Sequence, residues 1–224
     1  MGTPNVDYPV TRTTTDAEIF KLQRFLSDTL QQPTSALNSN SRIFFIAFDG
    51  TRNDASNPEI ATNVHRLQSI VDTAFNTTHQ GQTEYISGPG TQDGIIASSI
   101  DAAFGGSMLA RAEDAYSRLL NWAKDEFLEN PNVEISLAGV SFSRGGGSHT
   151  AFLNLVYERG IPDKNSTPIY HIDTEGNKSI IAYSSYIVPP GQVDLGAHVM
   201  FDRVATGGRS DMTTKLPPSP DLQI

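Results

Sequence analysis

Two short segments that are typical of buried strands, the first of them apolar throughout, constrain the fold of this sequence more than any other feature. Residues 43–48 (IFFIAF) stop at Asp49-Gly50-Thr51, and residues 133–137 (VEISL) run into a glycine-rich stretch at 139–147. Short apolar runs that end in turn residues are typical of strands buried on both faces of a parallel sheet. We therefore expect two central strands, each of which ends in a polar or glycine-rich turn.

Segments with helical periodicity alternate with these strands. Apolar residues recur at helical spacing from about residue 59 to 71, along 107–128 and from about 148 to 157, and further strands are indicated at 84–86 and 195–201. The sequence TEGN at 174–177 predicts a hairpin between 169–172 and 180–186. This alternation predicts a three-layer α/β fold with a mostly parallel central sheet. Residues 1–40 are predicted to form an N-terminal arm with one helix, ahead of a single domain at 41–224.

Composition excludes several classes of function. The 224 residues carry a formal net charge of −9 and a sequence pI near 4.9, which disfavours binding to nucleic acid or simple electrostatic docking on anionic lipid. Because there is no cysteine, a disulfide framework and a thiolate metal site are both impossible. We expect neither a metal nor a cofactor. Residues 1–15 lack the apolar segment of a secretory signal, so we expect synthesis in the cytoplasm without a signal peptide.

The stretch 139–147 (GVSFSRGGG) carries the clearest chemical signal. A sharp turn between a strand and a helix can expose a nucleophilic serine when the residues two before and two after it are small. Centred on Ser143, those positions are Ser141 and Gly145. A frame centred on Ser141 has a serine at the second small position, so Ser143 is the preferred nucleophile. The backbone N–H of Arg144, at the start of the following helix, is then placed to stabilise an oxyanion.

Two other polar segments follow predicted strands. Asp202 ends the last strand and comes after Ser143 in the chain order Ser…Asp…His, so it is the candidate acid; Asp194 is a rival that precedes that strand. Asp49-Gly50-Thr51 follows the first strand, where the N–H of Gly50 or Thr51 is a candidate second oxyanion donor. A plain turn chosen for its glycine explains this segment equally well. The Asp49 side chain is an alternative means of orienting the loop.

Six blocks of this sequence together resemble the α/β-hydrolase domain of phospholipase or lipase effectors of type VI secretion, a family formerly labelled as of unknown function. The blocks occur in the family's order and cover about residues 43–206: FDGTRN at 48–53, TNVHRL at 62–67, YISGPGT at 85–91, AFGG at 103–106, SFSRG at 141–145 and FDRVA at 201–205. The resemblance implies an α/β-hydrolase-like fold and a Ser-Asp-His triad with Ser143 as nucleophile and Asp202 as acid. It also implies a phospholipid substrate.

This sequence departs from the family pattern in the position of its histidines, one of which should act as the base. In the family the base follows the acid, whereas the five histidines here are His65, His79, His149, His171 and His198, all before Asp202. From the sequence, His149 is expected to point along its helix away from the site and His198 to be a sheet residue. We therefore expect the domain at 41–224 to be incomplete at its C-terminal end.

The sequence leaves two functional interpretations open. The first is a serine esterase, most specifically a phospholipase that acts as an antibacterial effector. Its expected partners are an immunity protein, a component of the secretion apparatus and a second polypeptide that supplies the catalytic histidine. Such an effector is expected to be delivered to the periplasm or cytoplasm of a target cell. The second is a truncated, non-catalytic module that binds a partner or completes a larger assembly.

Overall fold

A computed structural model describes residues 39–50, 62–88, 100–176, 178–201 and 216–217. The predicted N-terminal arm, apart from its last two residues, lies outside these ranges, as do Thr51 and Asp202. In the ranges described, no helix combines the length and the hydropathy needed to span a membrane.

The helices and strands alternate along most of the chain. In order, they are β1 (Ser41–Phe48), α1 (Asn63–Thr78), β2 (Gly81–Ile86), α2 (Ile100–Glu129), β3 (Glu134–Phe142), α3 (Gly145–Arg159), β4 (Ile161–Pro162), β5 (Pro168–Ile172), β6 (Lys178–Tyr183), β7 (Tyr186–Val188) and β8 (His198–Phe201). Every predicted strand and helix within the described ranges is present. The short antiparallel pair β4–β7 is not predicted, because two or three residues carry no readable periodicity.

A four-stranded parallel sheet with the order β2-β1-β3-β8 forms the centre. The α/β class with a mostly parallel sheet, as in an α/β-hydrolase-like fold, is therefore confirmed. The hairpin predicted around residues 174–177 forms a separate antiparallel pair, β5–β6. In a parallel sheet all strands end at the same edge, and the last residues of β1, β3 and β8 lie there, with Phe48 paired with Ser141 and Phe142 paired with Phe201.

The two faces of the sheet are covered by different helices. Phe44 on β1 packs against Trp122 of α2 and Phe152 of α3, with ring centroids 5.4 and 6.5 Å apart. Gly81 of β2 pairs with Ile43 and therefore faces away from Phe44, and a Cβ atom on Gly81 would lie 2.8 Å from the ring of Phe75 of α1, so α1 covers the opposite face. Residues on both faces of β1 are buried, which explains why this run is apolar throughout.

Helix α3 begins three residues earlier than the sequence predicts. Glycine is a poor helix former, so the run at 145–147 favours a start near Ser148. The structure places all three glycines in the first turn of α3, buried. A Cβ atom on Gly147 would lie 2.5 Å from Sδ of Met108 on α2, so close packing of the helices outweighs the low helix propensity.

Candidate functional site

Ser143 lies between the end of β3 and the start of α3, with a backbone φ of +52°. A left-handed conformation at a residue with a Cβ atom costs about 1–2 kcal/mol and persists only where the surroundings enforce it. Here the Ser143 N–H donates to the carbonyl of Phe201 at 3.0 Å, and the Ser143 carbonyl accepts from Gly146 N–H at 3.1 Å. This strained strand-to-helix turn is the geometry expected of a nucleophile elbow.

Gly145 shows why the elbow needs a small residue after the serine. A Cβ atom at this position would lie 2.5 Å from the carbonyl oxygen of Phe48 and 2.6 Å from that of Asp49. Both contacts are with backbone, which cannot move aside without displacing the end of β1. Gly145 thus lets α3 start directly against the loop that follows β1.

The rival nucleophile, Ser141, lies inside β3 and is completely buried. Its Oγ atom has no hydrogen-bond partner among the described residues. Ser143, by contrast, is half-buried. Of the two serines, only Ser143 combines the left-handed turn with access to solvent, so the geometry favours Ser143.

Arg144 precedes the first residue of α3 and has helical dihedral angles, φ −67° and ψ −20°. Its backbone N–H therefore lies at the N-terminal, positive end of the α3 dipole. An oxyanion formed at Ser143 would lie next to this end of the helix, which supports the role predicted for the Arg144 backbone.

Asp49 organises the neighbouring loop through a buried carboxylate that is 2% exposed. Oδ1 accepts from the Gly50 N–H at 2.7 Å, while Oδ2 accepts from the Tyr85 hydroxyl at 2.7 Å and from the hydroxyl of Thr62, the residue that caps α1. One side chain thus ties the end of β1 to α1 and β2. In this structure the Gly50 N–H is engaged by Asp49, and Thr51 lies outside the described residues.

The two candidate acids differ in their positions along the sheet. Asp202 lies outside the described residues, but it directly follows Phe201, whose carbonyl accepts from Ser143 N–H and which pairs with Phe142. Asp194 pairs with Ser136, six residues before Phe142, which puts its backbone about 20 Å from the end of β3. Only Asp202 follows a strand that ends beside the elbow.

None of the five histidines, all of which are in described segments, is hydrogen-bonded to Ser143. His65 packs edge-on against Tyr85, and His171 is exposed in the β5–β6 hairpin. His149 and His198 are both buried and contact each other, with Nε2 of His149 2.9 Å from Nδ1 of His198. Burial lowers the pKa of His198 to about 3, so this ring is neutral near pH 7.

Sequence reasoning missed this contact between His149 and His198. His149 was expected to point along α3 and away from the site, and His198 to be an ordinary sheet residue. Nothing in the local sequence pairs the two positions, because they are 49 residues apart and meet only through the sheet. The one available signal was Gly139, which faces them: a Cβ atom there would lie 3.0 Å from Nε2 of His149.

Comparison with known proteins places this site in a family. The profile of the type VI secretion system family described as "Phospholipase effector Tle1-like, catalytic domain" matches residues 42–179, a range that includes β1 and the elbow. No curated protein sequence matches this chain. Among solved structures, an uncharacterized protein from Pseudomonas aeruginosa is similar at 16% identity and a TM-score of 0.43, over 93% of this chain and 38% of that chain.

Proposed function

This chain belongs to the family of Tle1-like phospholipase effectors of type VI secretion systems, matching its catalytic domain, and we propose that it is a serine hydrolase that cleaves acyl esters of membrane phospholipids. The observation that carries the proposal is the left-handed Ser143 at the carboxyl edge of the parallel sheet, at the junction of β3 and α3. Strain at this point has no evident structural benefit, and it exposes a hydroxyl beside a helix N-terminus.

In the proposed reaction, Ser143 Oγ attacks the ester carbonyl carbon while its proton passes to a histidine base. The carbonyl oxygen becomes an oxyanion, which the N–H of Arg144 stabilises together with an N–H from the loop after β1; because the Gly50 N–H is bound by Asp49, Thr51 is the proposed second donor. Collapse of this intermediate releases the alcohol, which takes the proton from the base, and leaves an acyl group on Ser143. Water then hydrolyses the acyl-enzyme, again with help from the base. Asp202 orients the histidine and stabilises its protonated form.

The base is proposed to come from a second polypeptide or from a part of the protein outside these 224 residues. This proposal is supported by the absence of a hydrogen bond from any of the five histidines to Ser143, and by the mutual contact that occupies His149 and His198. An immunity protein and a component of the secretion apparatus are the other proposed partners. Synthesis in the cytoplasm and delivery to the periplasm or cytoplasm of a target cell complete the proposed biology.

Release of fatty acid from phosphatidylethanolamine–phosphatidylglycerol vesicles tests the proposal. The assay should contain imidazole, which can act as a general base in place of the missing histidine. We expect release by the wild type and by Ser141→Ala, the matched control inside β3, but not by Ser143→Ala. Equal release by Ser143→Ala and the wild type would contradict the assignment of the nucleophile.

A second function is favoured by the same histidine observation. A hydrolase fold with no base hydrogen-bonded to its serine is what a non-catalytic binding module would show. Such a module releases no fatty acid at any imidazole concentration, and its Ser143→Ala variant behaves as the wild type does. The dependence of fatty acid release on imidazole therefore separates the two functions.

A further inference from the structure

A polar contact is buried behind the elbow, on the face of the sheet that α3 covers. His149 of α3 is 0% exposed and His198 of β8 is 5% exposed, and their ring nitrogens are 2.9 Å apart. At this separation one ring donates its N–H and the other accepts, which requires that the accepting nitrogen be unprotonated. The second ring nitrogen of His198, Nε2, has no hydrogen-bond partner among the described residues.

The surroundings of the two rings are shaped to allow the contact. Gly139 of β3 stands opposite His198 in the sheet register, and its missing side chain leaves the space that His149 crosses to reach β8. Phe48 of β1 stacks on the His149 ring, with centroids 5.4 Å apart and planes inclined by 30°. Three neighbouring strands therefore contribute to holding two imidazoles at a fixed separation.

The contact joins the two segments that carry the proposed nucleophile and acid. His149 lies six residues after Ser143, and His198 lies three residues before Phe201, whose carbonyl accepts from the Ser143 N–H. The elbow is thus connected to β8 at two points, one at its tip and one behind it. A hydrogen bond fixes distance and direction, whereas an apolar contact at the same place would let α3 slide against β8.

We propose that His149 and His198 are positioning residues that hold the nucleophile elbow in register with the strand leading to Asp202. This inference rests on the proposed function, because register matters only if Ser143 and Asp202 act together. Neither histidine contacts the reacting atoms in this role. Their effect is on the relative placement of Ser143 and the acid.

Kinetics on a soluble p-nitrophenyl ester in imidazole buffer test the proposal. A displacement of about 1 Å can lower the rate about 100-fold, so His149→Leu should lower kcat on that scale with little change in KM. The double variant His149→Gln/His198→Asn keeps an amide N–H donor and a carbonyl acceptor at the two positions, and it should recover most of kcat. Ser148→Ala is the matched control and should leave kcat unchanged, because it removes a buried hydroxyl next to His149 that has no hydrogen-bond partner among the described residues.

Hydrogen exchange of the peptide covering residues 139–147 gives a second readout that needs no activity. Faster exchange there in His149→Leu, with protection restored in the double variant, shows that the two histidines hold the elbow in place, so a wild type that proves inactive would count against the proposed function and not against this contact. The proposal is overturned if His149→Leu keeps both the kcat and the exchange of the wild type. It is also overturned if His149→Leu loses activity but the hydrogen-bonding double variant, shown to be folded, recovers neither kcat nor protection.

Discussion

The left-handed backbone of Ser143 makes a quantitative prediction about stability. At φ +52°, a residue with a Cβ atom is strained by about 1–2 kcal/mol, and glycine is not. Glycine also gives the unfolded chain more freedom, which lowers stability by about 0.4–1 kcal/mol. Compared with Ser143→Ala, which keeps the strain and also lacks the hydroxyl, Ser143→Gly should therefore be more stable by about 1 kcal/mol. For a domain of this size, that difference raises Tm by about 2–4 °C.

Urea unfolding of the two variants, followed by circular dichroism, measures this difference. His79 provides a matched control, because it is the only other described non-glycine residue with a positive φ (+55°) and it caps the exposed end of α1. His79→Gly should exceed His79→Ala in stability by a similar amount. If the His79 pair differs as expected but Ser143→Gly is no more stable than Ser143→Ala, Ser143 is not held in a left-handed turn and the elbow argument fails.

Three further perturbations probe the surroundings of the elbow. Folding lowers the pKa of His198 from an ordinary 6.5 to about 3, so between pH 3 and pH 6.5 the unfolded chain binds a proton that the folded chain does not. The free energy of unfolding should therefore drop by about 2 kcal/mol from pH 7 to pH 5, as measured by urea unfolding at several pH values. Gly145→Ala should lower the free energy of unfolding by at least about 2 kcal/mol, since its Cβ meets backbone carbonyl oxygens of β1 at 2.5 and 2.6 Å. Asp49→Ala, which leaves three donors without their acceptor, should cost about 3 kcal/mol and should also lower ester hydrolysis.

Each of these perturbations has its own control. His198→Asn should flatten the acid-side loss of stability, and an unchanged slope in this variant would assign the loss to other groups. Gly145→Ala with wild-type stability would mean that α3 does not start against the end of β1. For Asp49, the milder Tyr85→Phe removes one donor and should cost about 1 kcal/mol. Equal losses in Tyr85→Phe and Asp49→Ala would show that the carboxylate does not organise all three partners.

The sheet and the strand-to-helix turn at Ser143 could be predicted from the sequence because each depends on a local pattern. The apolar run at 43–48 is continuous since β1 is buried on both faces, and this pattern needs no knowledge of the rest of the chain. The elbow likewise depends on small residues next to Ser143, which occur within five consecutive positions. The alternation of strands with helices predicts a mostly parallel sheet, but it does not predict the strand order β2-β1-β3-β8.

The interior of the site could not be predicted, because its contacts join distant segments. Asp49 was recognised as a turn residue, yet its partners Thr62 and Tyr85 lie 13 and 36 residues away. The contact between His149 and His198 depends on the register of β8 against β3, and no local pattern fixes that register. The early start of α3 was missed because helix propensity is a weaker influence than the packing of Gly145 and Gly147 against their neighbours.

The claim that Ser143 is an activated nucleophile is tested most directly by covalent labelling. The full chain is treated with a fluorophosphonate in imidazole buffer, and the adduct is measured by intact mass and located by peptide mapping. The structure predicts one adduct, on Ser143, that is present in Ser141→Ala and absent from Ser143→Ala. An adduct on Ser141, or a wild-type chain that stays unlabelled at every imidazole concentration, would contradict the claim.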